Sequence, residues 1–178
     1  KINLVPFGEF LPFEKFFKKI GLKKISYGYE SFSSGDDRNL ISLDGKNFNF
    51  IPLICYEIIY SGKVNLGSDK TNFIINISED GWFGDSIGPH QHFSHTIFRA
   101  IEEGKNIIRS TNNGISAYID SNGIVISKLE STKKGVIEIN KYKKFNETLF
   151  SKFGNKIFFY ILLFYIIVIF FLKKWEIK

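Results

Sequence analysis

The feature that most constrains this chain lies near its end. Ile157 to Leu172 is an uninterrupted apolar run, bounded by Lys152 and Lys156 on one side and by Lys173, Lys174 and Trp175 on the other. A stretch that is apolar all round has no polar face to turn toward water, which argues against a surface helix. Its phenylalanine-rich make-up and flanking lysines fit a transmembrane helix better than a buried core helix. At 1.5 Å per residue the run covers about 24 Å, short of a hydrocarbon core of about 30 Å, so snorkelling lysines and local thinning of the bilayer are expected. Lysines on both sides blunt the positive-inside rule, so charge alone sets no orientation.

The residues before this run alternate between strand-like and helix-like segments. Leu40–Leu43 and Asn47–Leu53 flank the turn signal Asp44-Gly45, and Ile115–Ile119 and Ile124–Ile126 flank Ser121-Asn122-Gly123. Phe73–Ile77 has the composition of a short buried strand, and Gln91–Arg109 places Ile97, Phe98, Ile101, Ile107 and Ile108 at roughly helical spacing. Strands with a helix between them predict an α/β domain. Near the start, Phe13, Phe16, Phe17 and Ile20 recur on one side of a segment whose other side carries Glu14, Lys15, Lys18 and Lys19. This basic amphipathic helix either packs on the core or dips into lipid head groups.

Composition excludes several classes. With 44% hydrophobic and 24% charged residues the chain is neither disordered nor collagen-like. The net charge of +6 comes from lysines scattered in small clusters, with no zinc-finger or helix-turn-helix spacing and with phenylalanines held inside apolar runs, so no nucleic-acid partner is expected. The single cysteine rules out an internal disulfide framework. His90, His92 and His95 form an H-x-H-x-x-H cluster, but no cysteine or paired carboxylate completes a tetrahedral set, and neither a metal nor another cofactor is expected. Asn76-Ile77-Ser78 and Asn146-Glu147-Thr148 are glycosylation sequons by pattern only, and Asn112-Asn113-Gly114 has the chemistry of a turn. The chain starts at Lys1 and contains no methionine, which predicts a piece of a longer protein.

Cys55 is the one residue able to form a thioester, and it ends the apolar run Phe50–Ile54 just before Tyr56 and Glu57. A thiol nucleophile needs a base, and it needs a cation or amide donors to hold an oxyanion. Lys1, Glu9, Cys55 and Glu57 each stand at the edge of an apolar segment or in the glycine-containing turn after one, where open α/β sheets gather reactive groups. Taken singly, each also fits a solvated surface position, and a lone thiol is often inert packing.

Together the segments form a recognisable series. Lys1-Ile-Asn-Leu-Val-Pro-Phe-Gly-Glu9-Phe-Leu-Pro12, Pro52-Leu-Ile-Cys55-Tyr-Glu57 and Asn76-Ile-Ser-Glu-Asp-Gly-Trp82-Phe-Gly84 resemble successive signatures of the nitrilase, or carbon-nitrogen hydrolase, superfamily. Within it they resemble the family of bacterial apolipoprotein N-acyltransferases. The series continues through Asp85–His92, Phe98–Ala100 and Arg109–Gly114, and a membrane helix after the domain fits that family too.

The resemblance implies a partial nitrilase-like α-β-β-α sandwich over residues 1–150, followed by one transmembrane helix at 157–172. Cys55 matches the nucleophile, Lys1 the lysine that stabilises the oxyanion, Glu9 a supporting glutamate and Glu57 a further acid, with the Tyr56 N–H as second oxyanion donor. Trp82 and Phe83 match an aromatic pair bordering the acyl-binding region. The family's general-base glutamate precedes the lysine and is not in this chain, so the chain alone is expected to be inactive. The implied reaction moves an acyl chain from a membrane phospholipid through a cysteine thioester to the N-terminal amine of an apolipoprotein. The implied location is the bacterial inner membrane, with the domain on the periplasmic side. Two alternatives stand beside it: a membrane-anchored amidase or carbamoylase of nitrilase type, and a non-catalytic anchored binding module. The chain departs from the pattern at Glu79-Asp80, where many relatives carry Asn-Asp, and at His90, where some carry a bulkier aromatic; both bear on the pocket rim.

Overall fold

The computed structural model describes residues 1–26, 30–43, 48–64, 71, 73–142 and 147–176. The turn expected at Asp44-Gly45 and Asn146 of the second sequon lie outside these residues. Six strands form one sheet in chain order: β1 (Ile41–Leu43), β2 (Phe48–Ile54), β3 (Phe73–Glu79), β4 (Asn106–Asn112), β5 (Ser116–Ile119) and β6 (Val125–Leu129). β2, β3 and β4 run parallel, while β1, β5 and β6 join antiparallel at the two sides. This is the α/β architecture expected from the alternation of segments.

Register explains where the core sits. Ile51, Ile74, Ile107 and Ile119 lie abreast across four strands, and all are fully buried. Because side chains on a strand alternate between faces, the next row on that face is Leu53, Asn76, Arg109 and Ala117. The covered face therefore turns from apolar to polar toward the carboxyl ends of the parallel strands. On the opposite face Ile54 and Ile77 are exposed, so among the described residues a helix layer covers one side of the sheet only.

That layer is α2 (Gly88–Glu103), which begins with Pro89 in its first turn and lays Phe93, Ile97 and Ala100 on the core. It is shorter than the helix predicted over 91–109. Gly104 adopts a left-handed φ of 61° and its N–H caps Ala100, after which Asn106–Asn112 runs as β4. Ile107 and Ile108, which continue the helical spacing in the sequence, point to the two faces of a strand.

The basic amphipathic segment forms α1 (Glu14–Lys19), one and a half turns with no buried residue. Phe17 packs edge-on against Phe7, whereas Phe13, Phe16 and Ile20 are exposed. The aromatic side does not pack on the core.

After α3 (Leu149–Phe153) comes α4 (Lys156–Glu176), 21 residues and about 31 Å long. It exceeds the apolar run by continuing through Lys173 and beyond, which adds a charged turn and leaves the apolar span at Ile157–Leu172. The stretch Lys156–Lys173 is long and apolar enough to cross a membrane, and none of it is buried against the rest of the chain. The joint between domain and helix is polar and specific. Thr148 caps α3 by accepting from the Ser151 N–H at 2.9 Å and donates its hydroxyl to the Glu102 carbonyl. Ser151 Oγ donates to Glu103 at 3.0 Å, and Asn155 Nδ2 donates to the Ser61 carbonyl at 3.3 Å. Gly62, at a φ of 68°, lies against Asn155.

Candidate active site

β2 leaves the sheet at Ile54, and a 3-10 turn, Cys55–Ile59, begins at once. Cys55 has a φ of 53°, a left-handed conformation that costs a non-glycine residue about 1–3 kcal/mol. The change of direction takes the thiol out of the ladder at the carboxyl end of a parallel strand, the edge where α/β sheets hold ligands. Cys55 is half-buried and unpaired with other sulfur, and its Sγ lies 4.0 Å from the Glu79 carbonyl oxygen.

Three carboxylates surround this turn in different ways. Glu57 is buried and accepts four hydrogen bonds: from the Ile2 and Asn3 N–H groups at 2.8 and 3.1 Å, from Arg38 at 3.0 Å and from the Ile54 N–H at 2.8 Å. One carboxylate thus ties the segment after Lys1 to the residue before Cys55. Glu9 makes a two-pronged contact with Lys1 Nζ at 2.6 and 2.7 Å and also accepts the Val5 N–H at 2.9 Å. Glu79 accepts from the Gly81 N–H at 2.7 Å and from Asn112 Nδ2 at 2.6 Å, so it bridges the carboxyl ends of β3 and β4.

Lys1, Glu9, Cys55 and Glu57, singled out in the sequence far apart from one another, are therefore gathered at one edge of the sheet. Tyr56 follows in the same turn, its ring packed edge-on against Tyr60, whose hydroxyl donates to the Leu4 carbonyl at 3.3 Å. Trp82 and Phe83 lie on the 3-10 turn Asp80–Phe83 that follows β3; Trp82 is exposed, and Phe83 packs edge-on against His92 at 5.5 Å between ring centroids.

Behind the turn is a buried polar cluster that sequence reading left without a role. Asp80 accepts from Arg109 at 2.8 Å and from Ser78 at 2.7 Å, and it lies 2.9 Å from His92 Nδ1. Arg109 Nη1 also donates to the Asn76 side-chain oxygen. A Cβ at Gly114 would run into the Asp80 carboxylate, which accounts for glycine after Asn112-Asn113. His92 is engaged here while His90 and His95 are exposed, and among the described residues no group of histidine, cysteine and acidic side chains could hold a metal. Arg38, the fourth donor to Glu57, was not picked out either: it follows Asp36-Asp37 in a loop with no periodicity to mark it.

The carboxyl groups of Glu57 and Asp80 titrate below the ordinary range. Burial pushes Glu57 up, but the N–H groups of Ile54, Asn3 and Ile2 and the Arg38 charge outweigh it. Burial likewise pushes Asp80 up, and the bonds from His92, Arg109 and Ser78 outweigh it. A depressed folded value adds stability above the unfolded carboxylate value of about 4 and loses it as pH falls through the folded value. From Glu57 and Asp80, thermal melts followed by circular dichroism are expected to show stability dropping steeply below about pH 4, whereas the buried Glu103, whose carboxyl burial pushes up, acts in the opposite direction above that range. Glu57→Gln is expected to flatten part of that drop while lowering the melting temperature at neutral pH.

Residues 1–140 match the carbon-nitrogen hydrolase family model. Among curated relatives, the apolipoprotein N-acyltransferase of Allorhizobium ampelinum is 45% identical over 136 residues, covering 76% of this chain and 26% of that protein. The one from Bradyrhizobium diazoefficiens is 36% identical over 155 residues, covering 87% of this chain and 29% of that protein. The chain spans about a quarter of the length of the curated relatives it matches. Among solved structures, a CN-hydrolase superfamily protein from Xanthomonas campestris with an arsenic adduct in its active site aligns over 58% of this chain and 43% of its own, at 14% identity and a TM-score of 0.48.

Proposed function

The chain belongs to the carbon-nitrogen hydrolase family, and from that premise we propose that it is the carboxyl-terminal part of an apolipoprotein N-acyltransferase, with residues 1–150 forming part of the catalytic domain and the apolar helix anchoring it. The observation that carries this reading is the Cys55 turn. A cysteine in a left-handed conformation at a strand end shares one sheet edge with the Lys1–Glu9 pair and is tied to it through Glu57.

In this reading the Cys55 thiol gives up its proton to a glutamate ahead of Lys1 in the full-length protein. The thiolate attacks the acyl-ester carbonyl of a phospholipid. The oxyanion that forms is held by the Lys1 ammonium and the Tyr56 N–H. Collapse breaks the ester C–O bond, the leaving oxygen takes a proton, and lysophospholipid departs from an acyl-thioester. The N-terminal amine of an apolipoprotein then attacks the thioester; the amide C–N bond forms, the C–S bond breaks, the amine's proton passes to the same glutamate, and the thiolate is restored.

Glu9 fixes the Lys1 ammonium in place. Glu57, its oxygens already committed to four donors, holds the two backbone segments together. Trp82 and Phe83 border the acyl chain. The catalytic domain faces the periplasm from the inner membrane, and no metal or other cofactor takes part. Both substrates lie in a bilayer, which gives the apolar helix a role in bringing the site to them.

Full-length protein in liposomes with radiolabelled phosphatidylethanolamine is expected to acquire a hydroxylamine-labile acyl adduct that Cys55→Ala abolishes. The 178-residue chain by itself is expected to acquire none. Adduct that persists in Cys55→Ala would remove Cys55 from the reaction.

A further inference from the structure

The buried cluster behind the turn reaches Cys55 through one side chain. Asn76 Nδ2 donates to the Leu53 carbonyl at 3.1 Å and to the Cys55 carbonyl at 3.4 Å, one on either side of the point where β2 leaves the sheet. An amide can face either way, so something must set its direction. Arginine has donors only, and Arg109 Nη1 pointing at Asn76 fixes the oxygen on that side and the NH2 toward Cys55.

Arg109 is fixed in turn. Its Nη2 bonds Asp80 Oδ2 at 2.8 Å and lies 3.1 Å from His92 Nδ1. Asp80 Oδ1 is 2.9 Å from the same nitrogen and takes Ser78 Oγ at 2.7 Å. An ionised carboxylate only accepts and arginine only donates, so His92 Nδ1 can bond only one of the two; as an N–H it bonds Asp80. Arg109, Asp80 and Asn76 are sealed from solvent, and His92 nearly so.

We propose that His92, Asp80, Arg109 and Asn76 form a positioning relay whose purpose is to hold the Cys55 turn in its left-handed conformation, with Asn76 the member that touches it. Sheet register makes the relay possible: Asn76 and Arg109 are neighbours on the covered face, in the row one step beyond the isoleucines. The cost of burying the charges is offset by their mutual bonds, whereas an apolar row would leave the Cys55 carbonyl without this donor. Burial pushes the Arg109 guanidinium down, and the Asp80 carboxylate beside it acts in the opposite direction. Phe83, packed on His92, ties the aromatic edge of the site to the same relay. The catalytic value of this arrangement rests on Cys55 being the nucleophile; the geometric claim does not.

The test is the alkylation rate of Cys55 by iodoacetamide in the full-length protein, read by mass spectrometry of the Cys55 peptide, beside acyl-transfer kinetics. Asn76→Asp keeps a partner for Arg109 and loses the donor to Cys55. It is expected to slow alkylation about tenfold and to lower kcat by a similar factor with KM unchanged, roughly 1.4 kcal/mol by the tenfold rule. His92→Gln, which alters only the outer member, is expected to slow alkylation about threefold. Folded Asn76→Asp with an alkylation rate within twofold of the parent would overturn the proposal, whatever its melting temperature. If Asn76→Asp does not fold, an unchanged rate in His92→Gln overturns it instead. Slowed alkylation in a protein that carries no acyl adduct on Cys55 would leave the relay standing and refute the acyl-transfer reading.

Discussion

Cys55→Ser is expected to reduce acyl transfer by the full-length protein at least about 10³-fold while leaving its melting temperature within about 1 °C. The fold should be indifferent to the change, because among the described residues the sulfur makes one weak hydrogen bond, 4.0 Å from the Glu79 carbonyl, and serine tolerates the left-handed turn as well as cysteine does. The chemistry should not be indifferent. A thiol supplies a few per cent of thiolate at neutral pH even without help, and a serine hydroxyl supplies essentially none. An ester on serine is also a poorer acyl donor to an amine than a thioester on cysteine, so both halves of the reaction slow. The assay is transfer of labelled acyl chain to a diacylated lipopeptide carrying a free N-terminal amine. A loss smaller than tenfold would be incompatible with a covalent role for Cys55.

Lys1→Met is expected to lower kcat by about 10² to 10³-fold, the range found when one oxyanion donor is removed from a preorganised site. Methionine keeps much of the length and apolar stem of lysine and deletes the ammonium. Glu9 then retains only the Val5 N–H, at 2.9 Å, among its hydrogen bonds to described residues. Because the Lys1–Glu9 pair is only partly buried, the change in stability should stay near 1 kcal/mol. Lys1→Arg is not expected to restore the rate, since a forked guanidinium presents its charge in another geometry than a point ammonium does. Single-turnover formation of the acyl-enzyme separates this effect from acceptor binding. A Lys1→Met protein that acylates at the parental rate would assign the oxyanion to other donors.

How much of this was legible in the sequence differs from residue to residue. The sheet strands around Phe73–Ile77 and Ser116–Ile119 announced themselves because short runs rich in isoleucine and aromatic residues, set off by turn residues, fit a strand best. The apolar helix was equally plain. Lys1, Glu9, Cys55 and Glu57 could be singled out only because their flanking segments formed a familiar series, since contact between Ile2 and Glu57 spans 55 positions and no local period encodes it.

The end of α2 was missed for a physical reason. Ile107 and Ile108 satisfy a helical spacing by coincidence, and the left-handed Gly104 that stops the helix outweighs that spacing. Asn76 and Arg109 did leave a trace. Each is a polar residue two positions after a buried isoleucine, Ile74 or Ile107, on the same face of its strand, and a polar group in such a row has to find a partner. That signal indicates that partners exist and leaves their identity to the register. Arg38 left no comparable trace.

If the chain works as proposed, the corner at Gly62 bears on the depth at which its thiol meets a bilayer. Seven residues after Cys55, the chain touches Asn155 at the foot of the long apolar helix, and Thr148 and Ser151 clasp α2 from the same side. A flexible tether would let a domain roam over the membrane and sample bonds at many heights. In the proposed reading, a short, hydrogen-bonded corner would instead act as a fixed ruler between thiol and bilayer. Such a ruler would favour substrates whose reactive carbonyl always sits at one level, and lengthening it by a few residues would mistune the reach without altering any group at the thiol.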